Sequence, residues 1–476
     1  MMRALIQVHR WLGIAFCLLF AMWFATGMVM HVVPFPALTE AERVAGLAPL
    51  DLHEIAHGPA DAVKASGIAG ATRVRLLQRS DGPVYLVTGA GRLQAVRAGD
   101  LANAAVHSDP LALTIAVDHA RRRRIDASRA TLIALDAYDQ WSVPNRFDVH
   151  RPLYRVAFND DAGTDLYVSS ATGEIVLETT RRERRWNAVG SVAHWIYPTL
   201  LRRHPGAWQV VVWWLSLAAL AAALSGAVLG TLRIRLRGYF LVSPYRGLQA
   251  WHHVLGLMAM TFVLTWIFSG WLSMDDGRLF SSGRPSEEDA IGVAGTAAWT
   301  ELLPGDPQQV DPHATELEWF ALDGKLYRRE RIALTQRLVM PAAPAAASIA
   351  ERAFLAPDDL HSVALRLGTG CAPAITIDAD DDYAIGSIMP DAPVYRLVCG
   401  DVWYHVDGAN GALLERLDRS RRVYRWLYGA LHTFDIPALT ARPALRTTLI
   451  MVGCGFGLAF SLTGVAIGWR RLRRTL

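Results

Sequence analysis

Four apolar runs of about 20 residues each constrain this chain of 476 residues more than any other feature. A helix of that length crosses a hydrocarbon core of about 30 Å. The overall composition agrees, with 52% hydrophobic and 19% charged residues. The sequence therefore predicts an integral membrane protein with four transmembrane helices, at about 11–33, 208–230, 251–273 and 447–469.

Composition and charge exclude several other classes of protein. A chain this apolar is neither disordered nor a free soluble enzyme, and its four cysteines are too few for a disulfide-dense secreted module. The net charge of +4 is too small to indicate binding to nucleic acid. Composition thus predicts the lipid bilayer as a partner and no nucleic acid.

Arginine-rich segments beside the apolar runs predict the orientation in the membrane. Four arginines and no acidic residue lie within 231–250, between the second and third runs, and four more lie within 470–476. Short loops rich in Lys and Arg stay in the cytoplasm, so both termini are expected there, in a bacterial inner membrane. The segments 34–207 and 274–446 are then periplasmic. Residues 276–420, with 23 acidic and 12 basic residues, fit that side.

An internal repeat relates the first apolar run to the third. His9-Arg-Trp-Leu-Gly13 and His252-His-Val-Leu-Gly256 are 243 residues apart. Thr26-Gly27 and Ser269-Gly270, near the ends of the same runs, keep that spacing. Because its pattern recurs in the third run, the first run is expected to remain as a span and not to be cleaved as a signal peptide.

The second and fourth runs repeat in the same way. His194 and His432, which precede them, are 238 residues apart, and the dipeptides Ser225-Gly226 and Thr463-Gly464 keep that spacing. Repeats of this kind are typical of an internal duplication. Each half is expected to read span, periplasmic domain, span.

The segments between the runs have the pattern of small α+β domains. Asp165–Gly173 and Trp403–Gly411 predict hairpins, helices are expected at about 110–123 and 343–355, and 280–315 reads as a linker. The fold class is therefore an integral membrane α-helical protein with four transmembrane helices and two α+β periplasmic domains. Its predicted segments are helix 1 (1–33), a periplasmic domain (34–185), an interfacial helix with helix 2 (186–230), a cytoplasmic loop (231–250), helix 3 (251–273), a second periplasmic domain (274–423), an interfacial helix with helix 4 (424–469) and a cytoplasmic tail (470–476).

Histidines at repeated membrane positions are the candidate chemistry. Ionisable residues in or beside a span are costly and are functional candidates by default. His9 and His252 lie at the cytoplasmic ends of their spans, and His194 and His432 lie just outside theirs. Duplicated halves usually pack about a pseudo-twofold axis, so each pair is expected to meet across it. Two facing imidazoles suit the axial positions of a haem iron, which predicts two haems at opposite faces of the bilayer.

Two further histidines leave the ligation open. His31 follows His9 by 22 residues and returns to the same helix face, so one helix has a candidate ligand at each membrane face. Its counterpart in the second half is Met274, which breaks the duplication. His253 is an alternative to His252. No C-x-x-C-H motif occurs, so any haem is expected to be the non-covalent b type.

Other motifs receive structural interpretations. His53-Glu54-Ile-Ala-His57 matches the zinc-protease pattern, but Gly58-Pro59 follows at once and should end the helix that the motif needs. The acidic run at 378–382 is interpreted as a solvated turn. Cys371 and Cys399 are expected to form a periplasmic disulfide. Glycines four residues apart in the spans are interpreted as helix-packing positions.

These residues and their order resemble the PepSY-associated transmembrane proteins, a family that includes inner-membrane ferrisiderophore reductases. The resemblance rests on His9-Arg-Trp-Leu-Gly13, the Ser/Thr-Gly dipeptides, the histidines before spans two and four, the hairpins and the basic tail, and it covers nearly the whole chain. It implies PepSY-like periplasmic domains and two haems, for which His9, His31, His194, His252 and His432 are the candidate ligands from the sequence.

The resemblance also implies an activity. It is the haem-dependent reduction of a periplasmic ferric siderophore, or another ferric chelate, with release of Fe(II). The sequence contains no nucleotide-binding domain, so the electron donor is expected to be a separate cytoplasmic protein or a reduced membrane carrier. Tyr154-Arg155 and Tyr395-Arg396 are candidates for holding the chelate. The competing hypothesis is a non-redox, membrane-anchored module that binds peptides or regulates peptidases.

Overall fold

The fold is known from a computed structural model that describes residues 2–237, 240–275, 277–296, 299, 310–340, 350–368, 370–384 and 392–474. Its α-helices are α1 Met2–Val32, α2 Glu40–Ala45, α3 Pro59–Ser66, α4 Asp109–Arg122, α5 Arg181–Val189, α6 Ser191–His194, α7 Thr199–Arg202, α8 Pro205–Leu232, α9 Leu248–Leu272, α10 Glu287–Ala294, α11 His361–Leu367, α12 Arg419–Tyr424, α13 Leu431–Thr433, α14 Pro437–Thr440 and α15 Pro443–Leu472. A π-helical turn, Arg425–Ala430, joins α12 to α13.

The strands fall into four antiparallel sheets. In chain order they are β1 Ala71–Arg79, β2 Gly82–Gly89, β3 Arg92–Arg97, β4 Thr131–Asp136, β5 Leu153–Ala157, β6 Asp165–Ser169, β7 Ile175–Thr179, β8 Arg235–Arg237, β9 Phe240–Val242, β10 Glu316–Leu322, β11 Lys325–Ile332, β12 Thr335–Met340, β13 Ala350–Arg352, β14 Ile375–Ile377, β15 Val394–Cys399, β16 Val402–Asp407 and β17 Leu413–Leu417. The pair β8–β9 lies in the connection between α8 and α9.

The four long helices α1, α8, α9 and α15 form the membrane bundle. Each is long and apolar enough to span a bilayer, with mean hydropathy between 1.7 and 2.1. In the bundle α1 packs against α8 and α15, and α9 packs against the same two helices. Helices α1 and α9 therefore stand diagonally opposite each other. The prediction of a multi-pass membrane protein with four helical spans is confirmed.

One seven-stranded sheet takes strands from both extramembrane segments. Its order is β13-β12-β11-β10-β1-β2-β3, and the two segments meet where β1 pairs with β10, Val74 facing Trp319. The sequence predicts that the strands of each half form a separate small domain, whereas the structure pairs the strands of the two halves edge to edge. The reason is physical, because a lone three- or four-stranded unit leaves an open edge of unpaired backbone groups. Pairing β1 with β10 satisfies both edges.

Two four-stranded sheets have the same plan. Their orders are β4-β5-β6-β7 and β14-β15-β16-β17, and both predicted hairpins are present. Helix α4 confirms the helix expected at 110–123. In the second half, 343–349 lie outside the described residues, 350–352 form β13, and the helix of that half is α11.

The segment 280–315, predicted to be a linker, contains helix α10. A capping box at Ser286 and Asp289 starts this helix. Residues 297, 298 and 300–309 of the segment lie outside the described part of the chain. The predicted disulfide between Cys371 and Cys399 is confirmed.

A buried ion network ties the seven-stranded sheet to the first hairpin turn. Arg75 in β1 binds both Glu174, beside the turn, and Glu316 in β10, and Arg43 in α2 binds Glu316 as well. Burial alone would raise the pKa of Glu174 and of Glu316. The charges of Arg75 and Arg43 outweigh burial and lower both pKa values. The network therefore holds the domains together in its ionised form.

Candidate functional site

His9 and His252 form the loop-side pair, at the end of the bundle that carries the α8–α9 connection. His9 projects from α1 and His252 from the diagonally opposite helix α9. Nδ1 of His9 lies 3.1 Å from Oγ of Ser225 in α8, and Nδ1 of His252 lies 2.9 Å from Oγ1 of Thr463 in α15. Each histidine is thus fixed by a hydroxyl of the neighbouring helix, in the symmetric way that a duplication predicts.

His194 and His432 form the domain-side pair, at the opposite end of the bundle. Nδ1 of His194 in α6 lies 2.9 Å from Oγ1 of Thr26, and Nδ1 of His432 in α13 lies 3.0 Å from Oγ of Ser269. The two imidazole rings lie beside each other, with centroids 6.4 Å apart and planes at 67°. The predicted meeting of these two histidines is therefore present in the structure.

The four hydroxyls favour the Nδ1–H form of each histidine. Each hydroxyl also lies within hydrogen-bond distance of a backbone carbonyl of its own helix, and when it donates its single proton there it accepts from Nδ1–H of the histidine. Nε2 is then unprotonated and has a lone pair available for a metal. The four hydroxyl-to-carbonyl bonds are Thr26 to Met22, Ser225 to Ala222, Ser269 to Trp266 and Thr463 to Phe460.

The glycine after each hydroxyl lies against the imidazole. A Cβ at Gly226 would lie 2.7 Å from Cε1 of His9, which is too close for any side chain, so this position requires glycine. A Cβ at Gly27, Gly270 or Gly464 would lie 3.4–3.6 Å from Cε1 of its own histidine, which is ordinary van der Waals contact. The Ser/Thr-Gly dipeptide is therefore a seat for a histidine from another helix, formed by a hydroxyl and the glycine that follows it.

Other glycines in the spans pack as the sequence predicts. A Cβ at Gly453 would meet the ring of Phe262 at 2.7 Å, and a Cβ at Gly457 would meet the ring of Phe24 at 2.4 Å. These two positions confirm the helix-packing interpretation. Gly226 and Gly464, interpreted in the same way, seat histidines instead.

A large cavity separates the members of the loop-side pair. It measures about 860 Å³, and both His9 and His252 line it. Cofactor pockets are typically about 300–1,000 Å³, so a flat macrocycle is within its range. The described lining residues include no Asp or Glu. Six arginines face the cavity, namely Arg10, Arg233, Arg246, Arg470, Arg471 and Arg474.

The domain-side pair has an aromatic environment. The ring of Tyr428 stacks on His432 at a centroid distance of 5.5 Å and an angle of 25°. Trp23 donates from Nε1 to the backbone carbonyl of His194 over 2.9 Å. No arginine is among the described ring, hydrogen-bond or ion-pair partners of either imidazole. The two pairs thus make the same contacts with a hydroxyl and a glycine, and they differ in what surrounds those contacts.

The structure places the two open candidates differently from the four paired histidines. Nδ1 of His253 lies 2.9 Å from Oγ of Ser243, and its Nε2 lies 2.9 Å from the carbonyl of Gly230. Both ring nitrogens are engaged, so the geometry favours His252 over its neighbour. Nε2 of His31 lies 2.9 Å from Oγ1 of Thr447. This contact occupies the ring nitrogen that stays open in the four paired histidines.

The tyrosine–arginine candidates for chelate binding have structural roles. Tyr154 and Tyr395 are buried in strands, and their hydroxyls donate to backbone carbonyls. Arg155 binds Asp165. Arg396 binds Asp381 of the acidic run, so one residue of that run is a salt-bridge partner.

The zinc-protease pattern does not form a helix. His53 and Glu54 belong to a single 3₁₀ turn, and Ile55 after them is extended. Among the described residues no group of three or more His, Cys, Asp or Glu side chains is placed to hold a metal ion by itself. The histidines occur in pairs, as an axial arrangement requires.

The sequence shows the Ser/Thr-Gly dipeptides as repeat markers but does not show what they contact. Their regular spacing from the histidines was the available signal. Tyr428 was missed altogether, although it lies four residues before His432 and one helical turn carries it onto the imidazole. The arginines that face the cavity were interpreted only as signs of orientation.

Comparison with protein families agrees with this organisation. The model of the PepSY-associated TM region matches residues 6–471. That range includes the four long helices, the sheets between them and all four seated histidines. Among curated proteins, none matches the chain.

Proposed function

This chain belongs to the PepSY-associated TM family, and we propose that it is a di-haem b electron-transfer protein that reduces a ferric chelate across a bacterial inner membrane. The chelate is a ferric siderophore or a similar anionic complex in the periplasm. The electron comes from a separate cytoplasmic protein or from a reduced carrier in the membrane. The activity is that of a ferric-chelate reductase.

A single observation carries this proposal. Four histidines, two at each end of the bundle, each bind a hydroxyl through Nδ1 and rest on the following glycine. A hydrogen bond that fixes the tautomer and the ring orientation is the usual companion of a metal-ligating histidine. A non-redox anchor needs none of this, and its spans would have no reason to repeat the arrangement four times.

The ring spacing of the domain-side pair and the size of the loop-side cavity support the assignment of haem. Metal–imidazole bonds are about 2 Å long, so two histidines on one iron have ring centroids about 6 Å apart. The 6.4 Å between His194 and His432 agrees with this value. At the other pair, the cavity of about 860 Å³ between His9 and His252 has room for a macrocycle. When bound, the two haems supply one-electron carriers at the two membrane faces.

The arginines that line the loop-side cavity are complementary in charge to a haem. A b-type haem carries two propionates, and guanidinium groups bind carboxylates through paired hydrogen bonds. The six arginines that line this cavity would hold such anions at its mouth and also attract an acidic electron donor. The chain itself thus supplies ligands and charge compensation.

The orientation is part of the proposal. Arginines in the α8–α9 connection and after α15 support a cytoplasmic location for the loop-side pair. The extramembrane sheets then lie in the periplasm beside the domain-side pair. The shared plan of the two four-stranded sheets and the symmetric seats support an internal duplication of span, domain and span.

The reaction moves one electron and makes no covalent bond. The donor is oxidised by one electron, and the chelated Fe(III) is reduced to Fe(II). Siderophores hold Fe(II) far more weakly than Fe(III), so the iron is released. Two carriers shorten each step across a hydrocarbon core of about 30 Å.

The test is reduction of ferric chelate by purified protein in liposomes, with a colorimetric Fe(II) chelator outside. Dithionite-reduced wild type is expected to be red and to yield Fe(II). His432→Ala is expected to lose that reaction, and His253→Ala, a substitution in the same bundle at a histidine with both nitrogens engaged, to keep it. A colourless wild type contradicts the haem assignment and leaves the periplasmic domains as a binding module.

A further inference from the structure

A stack of four rings leads from the domain-side pair to the surface of the extramembrane domain. His432 stacks on Tyr428, Tyr428 packs on Tyr424, and Tyr424 packs on Phe280, with centroid distances of 5.5, 5.4 and 5.6 Å. Phe280 is half-buried and so reaches solvent. We call these three residues, Tyr428, Tyr424 and Phe280, the aromatic ladder.

The local backbone explains why the ladder is in register. Tyr424 and Tyr428 precede His432 by eight and four residues, the spacing that aligns side chains on one helix face. The turn between them, Arg425–Ala430, is π-helical, a conformation that is rare and concentrated at functional sites. The hydroxyl of Tyr424 donates to the carbonyl of Leu272 at the end of α9, which ties the ladder to the membrane bundle.

A positive charge stands beside the outer part of the ladder. The guanidinium of Arg421 lies 4.0 Å from the ring centroid of Tyr424. It also donates to the backbone carbonyl of Ser281, next to Phe280. Asp275 accepts from the backbone N–H of Phe280 and Asp418 from that of Arg421, so both carboxylates are engaged by the backbone at this end. The guanidinium of Arg421 is the group that can attract an anionic chelate to the end of the ladder.

The first half has no such ladder. The positions equivalent to Tyr428 and Tyr424, at the 238-residue spacing, are Gly190 and Trp186. A Cβ at Gly190 would lie 2.8 Å from Val29, so no ring fits there, and Trp186 is 48% exposed. Among the described ring contacts His194 meets His432, and the cluster of Trp195, Tyr197 and Trp208 beside it makes none with its imidazole. The stacked approach to the pair therefore lies on the side of His432.

We propose that the aromatic ladder is the electron exit from the domain-side pair, and that an anionic ferric chelate accepts the electron at its Phe280–Arg421 end. This inference rests on the proposed function. Tunnelling slows steeply with the gap between groups, and stacked rings fill the gap with polarisable atoms. One electron passes outward, Fe(III) of the chelate becomes Fe(II), and neither phenol changes its protonation in net. The tyrosines are positioning residues for the electron path and bind no iron.

The test measures, by rapid mixing, the rate at which ferric EDTA, an anionic chelate, oxidises the dithionite-reduced protein. This rate is compared between the wild type and four variants. Tyr428→Leu and Tyr424→Leu are expected to slow oxidation by about tenfold or more. Tyr428→Phe, which keeps the ring, and Trp186→Leu, at the equivalent position of the first half, are expected to stay within about twofold of the wild type.

Haem content and the two reduction potentials are measured for every variant and are expected to be unchanged. Slow oxidation with intact haem and unaltered potentials supports the exit route. Wild-type rates in both leucine variants with intact haem overturn the ladder and leave the proposed function standing. Should Tyr428→Leu disturb His432 and lose haem, Tyr424→Leu decides, because Tyr424 does not touch the imidazole. A wild type without haem overturns the proposed function itself.

Discussion

The loop-side and domain-side histidine pairs have the same seat in different surroundings. In each pair, Nδ1 binds a hydroxyl and Cε1 rests on a glycine. The loop-side pair, His9 and His252, opens into a cavity lined by six arginines, whereas the domain-side pair, His194 and His432, lies beside the ring of Tyr428. Under the proposed function, the repeat supplies the ligands, and the surroundings adapt one site to receive electrons and the other to deliver them.

The largest effect is expected from removing a histidine. His9→Ala or His252→Ala should lower the haem content from about two per chain to about one, because each pair is proposed to hold one iron between two imidazoles. His194→Ala or His432→Ala should remove the other haem. The measurement is the haem-to-protein ratio with reduced-minus-oxidised spectra. His31→Ala is the control and should keep both haems, and loss of haem there would contradict the four-ligand assignment.

The second-largest effect is expected from adding a side chain beside one histidine. Gly226→Ala should displace His9, since the new Cβ would lie 2.7 Å from Cε1, and the loop-side haem should be lost or weakly bound. Gly455→Ala in α15, where a Cβ meets nothing within 4 Å, is the matched control. Haem content measured after purification distinguishes the two variants. Equal haem content in both would show that Gly226 does not seat the histidine.

Removing a hydroxyl should weaken a site without abolishing it. Thr463→Val leaves Nδ1 of His252 without its partner, and loss of such a partner typically lowers metal affinity by about 10–100-fold. Titration of haem-depleted protein with haem measures the change. Thr261→Val, an exposed position on α9, should leave the affinity unchanged. An unchanged affinity in Thr463→Val would mean that the hydroxyl does not hold the imidazole.

The arginines of the cavity should affect one pair and not the other. Arg246→Gln removes a positive charge beside the loop-side pair, which favours the oxidised iron and should lower the reduction potential of that haem alone. The shift should shrink as salt is added. A potentiometric titration of both haems measures it, with Arg92→Gln on the exposed part of β3 as control. A shift of both potentials would contradict a local role.

Acid should lower the stability of the extramembrane domains first, and this effect should be smallest near neutral pH. The pKa values of Glu174 and Glu316 are lowered in the folded protein, so their contribution to stability is present above the ordinary value of 4.5 and is lost as the pH falls below it. Thermal unfolding followed by circular dichroism should show Tm falling in that range. Glu174→Gln should be less stable at pH 7 and less sensitive to acid. An acid response identical to that of the wild type would assign the effect elsewhere.

The four spans, both hairpins and the histidine pairs could be predicted because they depend on local pattern and on the repeat. His9 and His252 occupy equivalent places in the sequence repeat, and both line one cavity. The pairing of β1 with β10 could not be predicted, because edge strands of similar composition have many possible partners. The ladder depends on the packing of Phe280 on Tyr424, a contact between residues far apart in the sequence that helix spacing does not predict.

The contacts between the hydroxyls and the histidines could be predicted only in part. Thr26-Gly27 and its three equivalents recur at regular spacing, so their importance was visible, but which histidine each contacts depends on how the helices are arranged. His9 of α1 meets Ser225 of α8, while His194 of α6 meets Thr26 of α1. Only the three-dimensional arrangement of the bundle assigns these partners.

The most direct test of the central claim is the low-temperature electron paramagnetic resonance spectrum of the oxidised, purified protein. Two low-spin ferric signals of the bis-imidazole type are expected, with about two haems per chain. A protein without haem, or one whose iron is high-spin with an open axial position, would contradict the assignment of the four histidines as two ligand pairs.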